Sequence, residues 1–150
     1  MNNQKQMSKG VKILIGILLF VGLVVAGTML ILSRQTILKE IQLDNDRIIT
    51  LYSVVGKRKV AAITALNQDG QNYKTIIYKP GVVLDDDFDL YIQALEQKGF
   101  VITETKQGFV QLGNESIDGG NDIILVEINH ESNGEIIIKY IKTTGIINRN

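Results

Sequence analysis

Residues 13–32 carry no charged side chain, and the one polar side chain among them is Thr28. A helix of that length, bounded here by Ile13 and Leu32, rises about 30 Å, the thickness of a bilayer's hydrocarbon core. Fourteen of these residues are Ile, Leu, Val or Phe. On an insertion scale they sum to about −4 to −8 kcal/mol before the end positions are discounted. Gly16, Gly22, Gly27 and Thr28 give back part of that gain. The sequence therefore predicts one transmembrane helix over residues 11–32, in contact with the lipid bilayer between Ile13 and Leu32.

The flanks give the helix a direction. Lys5, Lys9 and Lys12 precede it with no acidic residue, whereas Arg34 and Lys39 beyond it are soon balanced by Glu40, Asp44 and Asp46. Basic flanks favour the cytoplasmic side. The expectation is a cell-membrane protein with a cytoplasmic tail, residues 1–10, and an extracytoplasmic carboxyl-terminal domain. The chain has 16 basic and 16 acidic residues, and the three lysines before the run leave 13 against 16, a net charge of −3 for the rest. A cleaved signal peptide is the rival reading, with Lys9 and Lys12 as its basic region and Val24-Val25-Ala26 as the cleavage site. Cleavage there would leave Met29-Leu30-Ile31-Leu32 exposed beside a new terminus. Gly22 and Ala26 form a small-xxx-small pair of the kind that lets two helices approach. The chain has no cysteine, which excludes a cysteine-linked lipid anchor, disulfide staples and thiolate zinc sites. An extracytoplasmic domain without disulfides suits a bacterial envelope, as does the richness in Ile, Asn and Lys.

Beyond the run, residues 33–56 read as a partly helical connector. Ile37, Leu38 and Ile41 recur at helical spacing, so the membrane helix is expected to continue as an amphipathic segment. Residues 47–55 fit either a helix or a strand, and Gly56 ends whichever forms. Residues 57–142 then read as one small domain. Strands are expected at 59–66 and 73–78, joined across Asp69-Gly70. A helix is expected at 86–98, with Asp85 as N-cap, acids in the first turn, a stripe of Phe88, Tyr91, Ile92 and Leu95, and Gly99 as its C′ residue. Further strands are expected at 100–105, 109–112, 122–129 and 135–142, the last two joined by a type I′ turn at Asn133-Gly134. Residues 113–121 read as a loop and 143–150 as a frayed tail. The order β-β-α-β-β-β-β predicts an α+β fold: an antiparallel sheet with one helix packed on it and the two Ile-rich final strands at its centre.

No residue set names a reaction, cofactor or metal. His130 is the only histidine, so multi-histidine metal sites are excluded, and no G-x-S-x-G accompanies it. It falls at a strand end, where an exposed polar residue is ordinary. Asp85, Asp86, Asp87 and Asp89 lack the EF-hand spacing and suit a helix N-terminus. Lys57-Arg58-Lys59 is too short to mark a polymer- or lipid-binding patch and reads as a solvated turn. With a net charge of −3 and no interleaved aromatics, the domain does not fit nucleic acid. Gly119-Gly120 lacks phosphate-loop context, and Asn114-Glu115-Ser116 matches a glycosylation sequon only formally. Carboxylate pairs for hydrolysis would be Asp87 with Glu96 or Asp122 with Glu127, if the fold joined them.

Lys9-Gly10 followed by a long apolar helix, a connector and a small antiparallel sheet resembles a type IV pilin or pseudopilin. The resemblance implies cleavage after Gly10. Ile15 stands where that family usually carries a glutamate, and Lys12 where it has an uncharged residue. The leading expectation is a membrane-anchored protein, not an enzyme, that binds or helps assemble an envelope protein or surface polymer. A pseudopilin-like subunit and a carboxylate-based hydrolase are the alternatives.

Overall fold

The computed structural model describes residues 39–68 and 71–147, together with Ile17 and Phe20. The chain divides into two units, Met1–Thr36 and Ile37–Asn150. The run expected to span the membrane lies outside the described residues except at Ile17 and Phe20, which are helical and exposed. Among the described residues no helix is long and apolar enough to cross a membrane.

The second unit is a small α+β domain. It opens with a hairpin of β1 (Glu40–Leu43) and β2 (Asp46–Ile49), then a short helix α1 (Leu51–Val55). There follow β3 (Val60–Gln68), β4 (Gln71–Tyr78), helix α2 (Asp85–Glu96), β5 (Val101–Lys106), β6 (Phe109–Glu115), β7 (Asp122–His130) and β8 (Ile136–Thr144). The last six strands form one antiparallel sheet in the order β3-β4-β8-β7-β6-β5. The expected central pair is in the centre. Its even-numbered residues Ile124, Val126, Ile128, Ile136, Ile138 and Tyr140 are buried, with Ile128 opposite Ile138 and Val126 opposite Tyr140. Strand side chains alternate between faces, so these line one face, and α2 packs there through Phe88, Tyr91 and Leu95. Ile41, Leu43, Ile48 and Leu51 complete the same core.

The first hairpin corrects the expected helical continuation of the connector. Ile41, Leu43 and Ile48 are buried while Glu40, Gln42 and Arg47 are exposed, a period of two. From Glu40 on, that alternation and the turn Asp44-Asn45, where Asp44 takes a φ of 52°, replace the expected helix; Lys39 is helical, and Ile37 and Leu38 lie outside the described residues. The hairpin belongs to the core, so the domain begins well before residue 57. The ambiguous stretch 47–55 divides at Thr50: strand before it, helix after it. Gly56 ends α1 with a φ of 78°.

Four further boundaries moved. Leu84, not Asp85, is the N-cap of α2. The Leu84 amide donates to Asp87 Oδ2 at 3.0 Å, so the third helical carboxylate satisfies the cap from inside. The helix closes as expected on Gly99, whose φ is 91°, with Phe100 N donating to Leu95 O at 3.1 Å. The β7–β8 connection is longer than a type I′ turn, spanning residues 131–135, because Asn133 holds it through its side chain. Its Oδ1 accepts from Glu135 N and its Nδ2 donates to Glu135 Oε2, both at 2.9 Å, and Gly134 alone in the turn takes positive φ. β6 extends through Gly113 to Glu115 against β7. A Cβ on Gly113 would meet Ile147 Cδ1 at 3.0 Å and Thr103 Cγ2 at 3.2 Å, which is why a glycine fits inside that strand. β8 likewise runs on to Thr144, past the expected start of the frayed tail.

Candidate functional site

The densest polar constellation sits where the first hairpin meets the centre of the sheet. Alternation along β8 sends Lys142 to the core face after Ile136, Ile138 and Tyr140, at the end where the apolar packing stops. Its side chain is 8% exposed. Its ammonium lies 3.1 Å from Asp46 of β2 and 3.4 Å from Asp44 of the hairpin turn, and it pairs with Asp118 of the β6–β7 loop. Asp46 is itself buried. Ser116 Oγ donates to its Oδ2 at 2.6 Å and Ile117 N to its Oδ1 at 2.9 Å. Asp118 N returns a bond to Ser116 Oγ at 3.2 Å. Asn72 Nδ2 of β4 holds Asp44 at 3.2 Å.

The charges explain what this cluster can do. Burial pushes Lys142 toward neutrality, but hydrogen bonds to Asp118 and Asp46 outweigh it and raise its pKa well above the ordinary value. Asp118 is held below the ordinary carboxylate range by hydrogen bonds from Lys142 and then Asn45. Lys142 is thus a fixed cation and cannot serve as a base. Ser116 spends its proton on a carboxylate that already accepts from Ile117 N and faces Lys142. These groups form a hydrogen-bonded junction, with one cation facing three carboxylates, that ties β2, the β6–β7 loop and β8 together, and the ammonium occupies the point where the three carboxylates converge.

A cleft of about 220 Å³ opens beside the junction, with Glu40, Asp46, Arg47, Lys98 and Glu115 among its lining residues. Both signs of charge face it. A second, mainly apolar hollow of about 240 Å³ lies between α2 and the sheet, lined by Phe88, Ile92, Val110 and Ile128, with Asp85, Asp89 and His130 also bordering it. His130 ends β7, exposed as its position implies, and its ring lies against Phe88 with centroids 4.3 Å apart.

The carboxylate pairs weighed from the sequence do not meet. Asp122 and Glu127 are five residues apart on β7, which puts them on opposite faces and about 17 Å apart. Asp122 accepts from Thr144 Oγ1, and Glu127 from Gln111 Nε2. Asp87 and Glu96 stand nine residues apart on α2, about 13 Å along its axis. Asp87 instead accepts two bonds from Arg58, at 2.9 and 3.1 Å. Those bonds hold its pKa below the ordinary carboxylate value despite burial, with Leu84 N adding to the effect. Of the basic run, Arg58 is therefore a half-buried partner of the helix, while Lys57 and Lys59 are exposed. Gly119 and Gly120 take positive φ in the β6–β7 turn. In the formal sequon, Ser116 is buried in the junction, and Asn114 Nδ2 donates to Lys98 O at 3.2 Å.

The junction went unread in the sequence, although one signal for it was present. Lys142 continues the even-numbered buried register of β8, and a charge at a core position requires partners. Comparison with protein-family models, with curated proteins and with solved structures finds no match for this chain.

Proposed function

We propose that the chain is a single-pass membrane protein with its amino terminus in the cytoplasm, whose extracytoplasmic α+β domain binds or helps assemble another envelope component without catalysing a reaction. The apolar run 13–32 and its basic leading flank support the anchor and its direction. Ile17 and Phe20, one helical turn apart and both exposed, suit a helix whose surroundings are apolar.

The observation that carries the binding role is the second face of the sheet. Both described helices α1 and α2 belong to the core on the other side. The second face presents Phe109, Ile137 and Ile77 in one row and Leu125 and Tyr73 in another, all half-buried. Between them runs a polar row of Gln111, Glu127, Lys139 and Thr75 in cross-strand register. Apolar rows divided by hydrogen-bonding groups are the composition of a protein-binding surface.

Photo-crosslinkers placed at Thr75, Glu127 and Lys139 in intact cells test the reading. Adducts with an envelope component from these positions, and none from Asp86 or Gln93 on α2, are expected. No adduct from any sheet position overturns the binding role. A reporter active only outside the cytoplasm, fused after Asn150, tests the orientation separately, and an inactive fusion overturns it.

A further inference from the structure

The six-stranded sheet ends in two edges built in opposite ways. An edge strand presents unpaired backbone N–H and C=O groups that another strand can join, and proteins blunt such edges with charge, proline, bulges or brevity. The β5 edge is blunted. It has six residues, a register break between Ile102 and Glu104, and an ion pair of Glu104 with Lys106. The β3 edge has none of these devices over most of its length. Its nine residues, VAAITALNQ, include no charge and no proline. Its one register break, between Val60 and Ala62, lies at its start and leaves Ile63 to Gln68 evenly paired with β4. Ile63 is 43% exposed and Leu66 46% exposed. Ile63 stands opposite Ile76 on the core side, and Leu66 opposite Tyr73 on the other side. A strand added at this edge would meet an apolar side chain above and below.

We propose that the strand added there is β3 of a second copy of this chain, so that two six-stranded sheets join antiparallel into one across a two-fold axis. The pattern of the strand selects this occupant. Antiparallel pairing of identical strands places the axis perpendicular to the sheet and beside a residue, because directly opposite residues must share a face. With the axis at Thr64, the midpoint of β3, Ile63 stands opposite Ala65 of the partner and Leu66 opposite its Ala62. Each large side chain thus meets a small one. Thr64 meets its own copy, and Thr–Thr pairs are favourable across strands. An uncharged strand also meets itself without like-charge repulsion in any register. The inference concerns an edge, and it stands apart from the reading of the open face and from the membrane topology.

The chain's lack of cysteine makes the test direct. Single cysteines are placed in the full chain at Ala62, Thr64 and Leu66, with Thr103→Cys on β5 as control, and oxidised in intact cells. Thr64→Cys is expected to form disulfide-linked dimer at least about tenfold more than Thr103→Cys, because only a directly opposed pair lies within disulfide reach. Ala62→Cys and Leu66→Cys are expected to link weakly alone and strongly when co-expressed. Thr64→Lys should abolish the dimer in detergent while leaving the circular dichroism spectrum unchanged. Equal linking at Thr64 and Thr103, linking without positional preference along β3, or a wild-type chain that is monomeric in detergent overturns the proposal. Tight helix association through Gly22 and Ala26 would give a dimer without the β3 pattern, and that outcome also overturns it.

Discussion

The two faces of the sheet share strands, registers and even consecutive residues, yet they are finished differently. On the core face Ile136, Ile138 and Tyr140 are buried, and the chain's polar intrusions there are paired with few exceptions. On the other face Ile137 and Lys139 are half-buried, Ile123 and Ile141 are buried, and Ile147 lies beside Gly113, while lateral contacts join neighbouring strands along the middle of the sheet. Lys139 lies 4.6 Å from the centre of the Tyr73 ring, and Gln111 bonds Glu127 at 3.1 Å. Stability is concentrated on one side, so the other is free to carry side chains chosen for another purpose. Binding surfaces are found on such faces because altering them leaves the fold standing.

Adjacent residues provide the sharpest way to break this comparison. Ile138→Ala should cost about 3 to 4 kcal/mol in urea unfolding, from lost transfer energy plus the cavity left in a sealed core. Ile137→Ala, one residue away, should cost about 1 kcal/mol, since its site is already half open to water. Equal losses would show that the second face is as closed as the first.

Lys142 and Lys139 repeat the contrast with charge. Lys142→Met strands the buried Asp46 without its cation and should cost about 3 kcal/mol. Lys139→Met should stay within about 0.5 kcal/mol. A small loss at Lys142 would mean that the junction relaxes to admit water.

The junction and the Arg58–Asp87 pair at the start of α2 together set a pH dependence. The folded-state pKa values of Asp87 and Asp118 are lowered, so their contribution is complete above the ordinary carboxylate value and disappears as pH falls through the lowered ones. Lys142 is raised, so its contribution is complete below 10.5 and disappears as pH climbs through the higher folded value. Tm should therefore hold a plateau from about pH 5 to 10 and fall on both sides. Arg58→Met should flatten the acid arm, and an unchanged arm would remove Asp87 from this account.

The smallest effects separate three tyrosines within the core face. Tyr91 OH donates to Ile49 O at 2.9 Å and lies 3.0 Å from Tyr140 OH, so Tyr91→Phe should cost about 1 kcal/mol. The buried Tyr78 hydroxyl finds no partner among the described residues. Tyr78→Phe should leave stability unchanged or raise it slightly, and a clear loss would reveal a bond that a buried water supplies.

What the sequence made legible follows the range of the interactions involved. The helix at 85–96 could be read because its stripe, acidic first turn and closing glycine are all local. The central position of β7 and β8 could be read because their Ile-rich alternation supplies more apolar surface than one face buries. β1 and β2 were lost because Ile37 and Leu38, beside the apolar run, set a helical phase in the sequence that Ile41 also satisfies. The period of two starts at Ile41 but shows only once Leu43 follows it. Arg58 with Asp87, and Lys142 with Asp44, Asp46 and Asp118, are long-range pairings, and no local pattern states which acid a given base will meet. The chain's charge runs showed that partners were available without showing the match.

The position of Lys142 also bears on the order in which the domain can assemble. A ribosome delivers this chain amino terminus first, and the hairpin carrying Asp44 and Asp46 emerges long before the lysine that neutralises it. The two strands at the middle of the sheet are the last to be made. Until they arrive, β3 with β4 and β5 with β6 are separate two-stranded ribbons, which are marginal in water by themselves. The six-stranded sheet becomes whole only when β8 enters between β4 and β7.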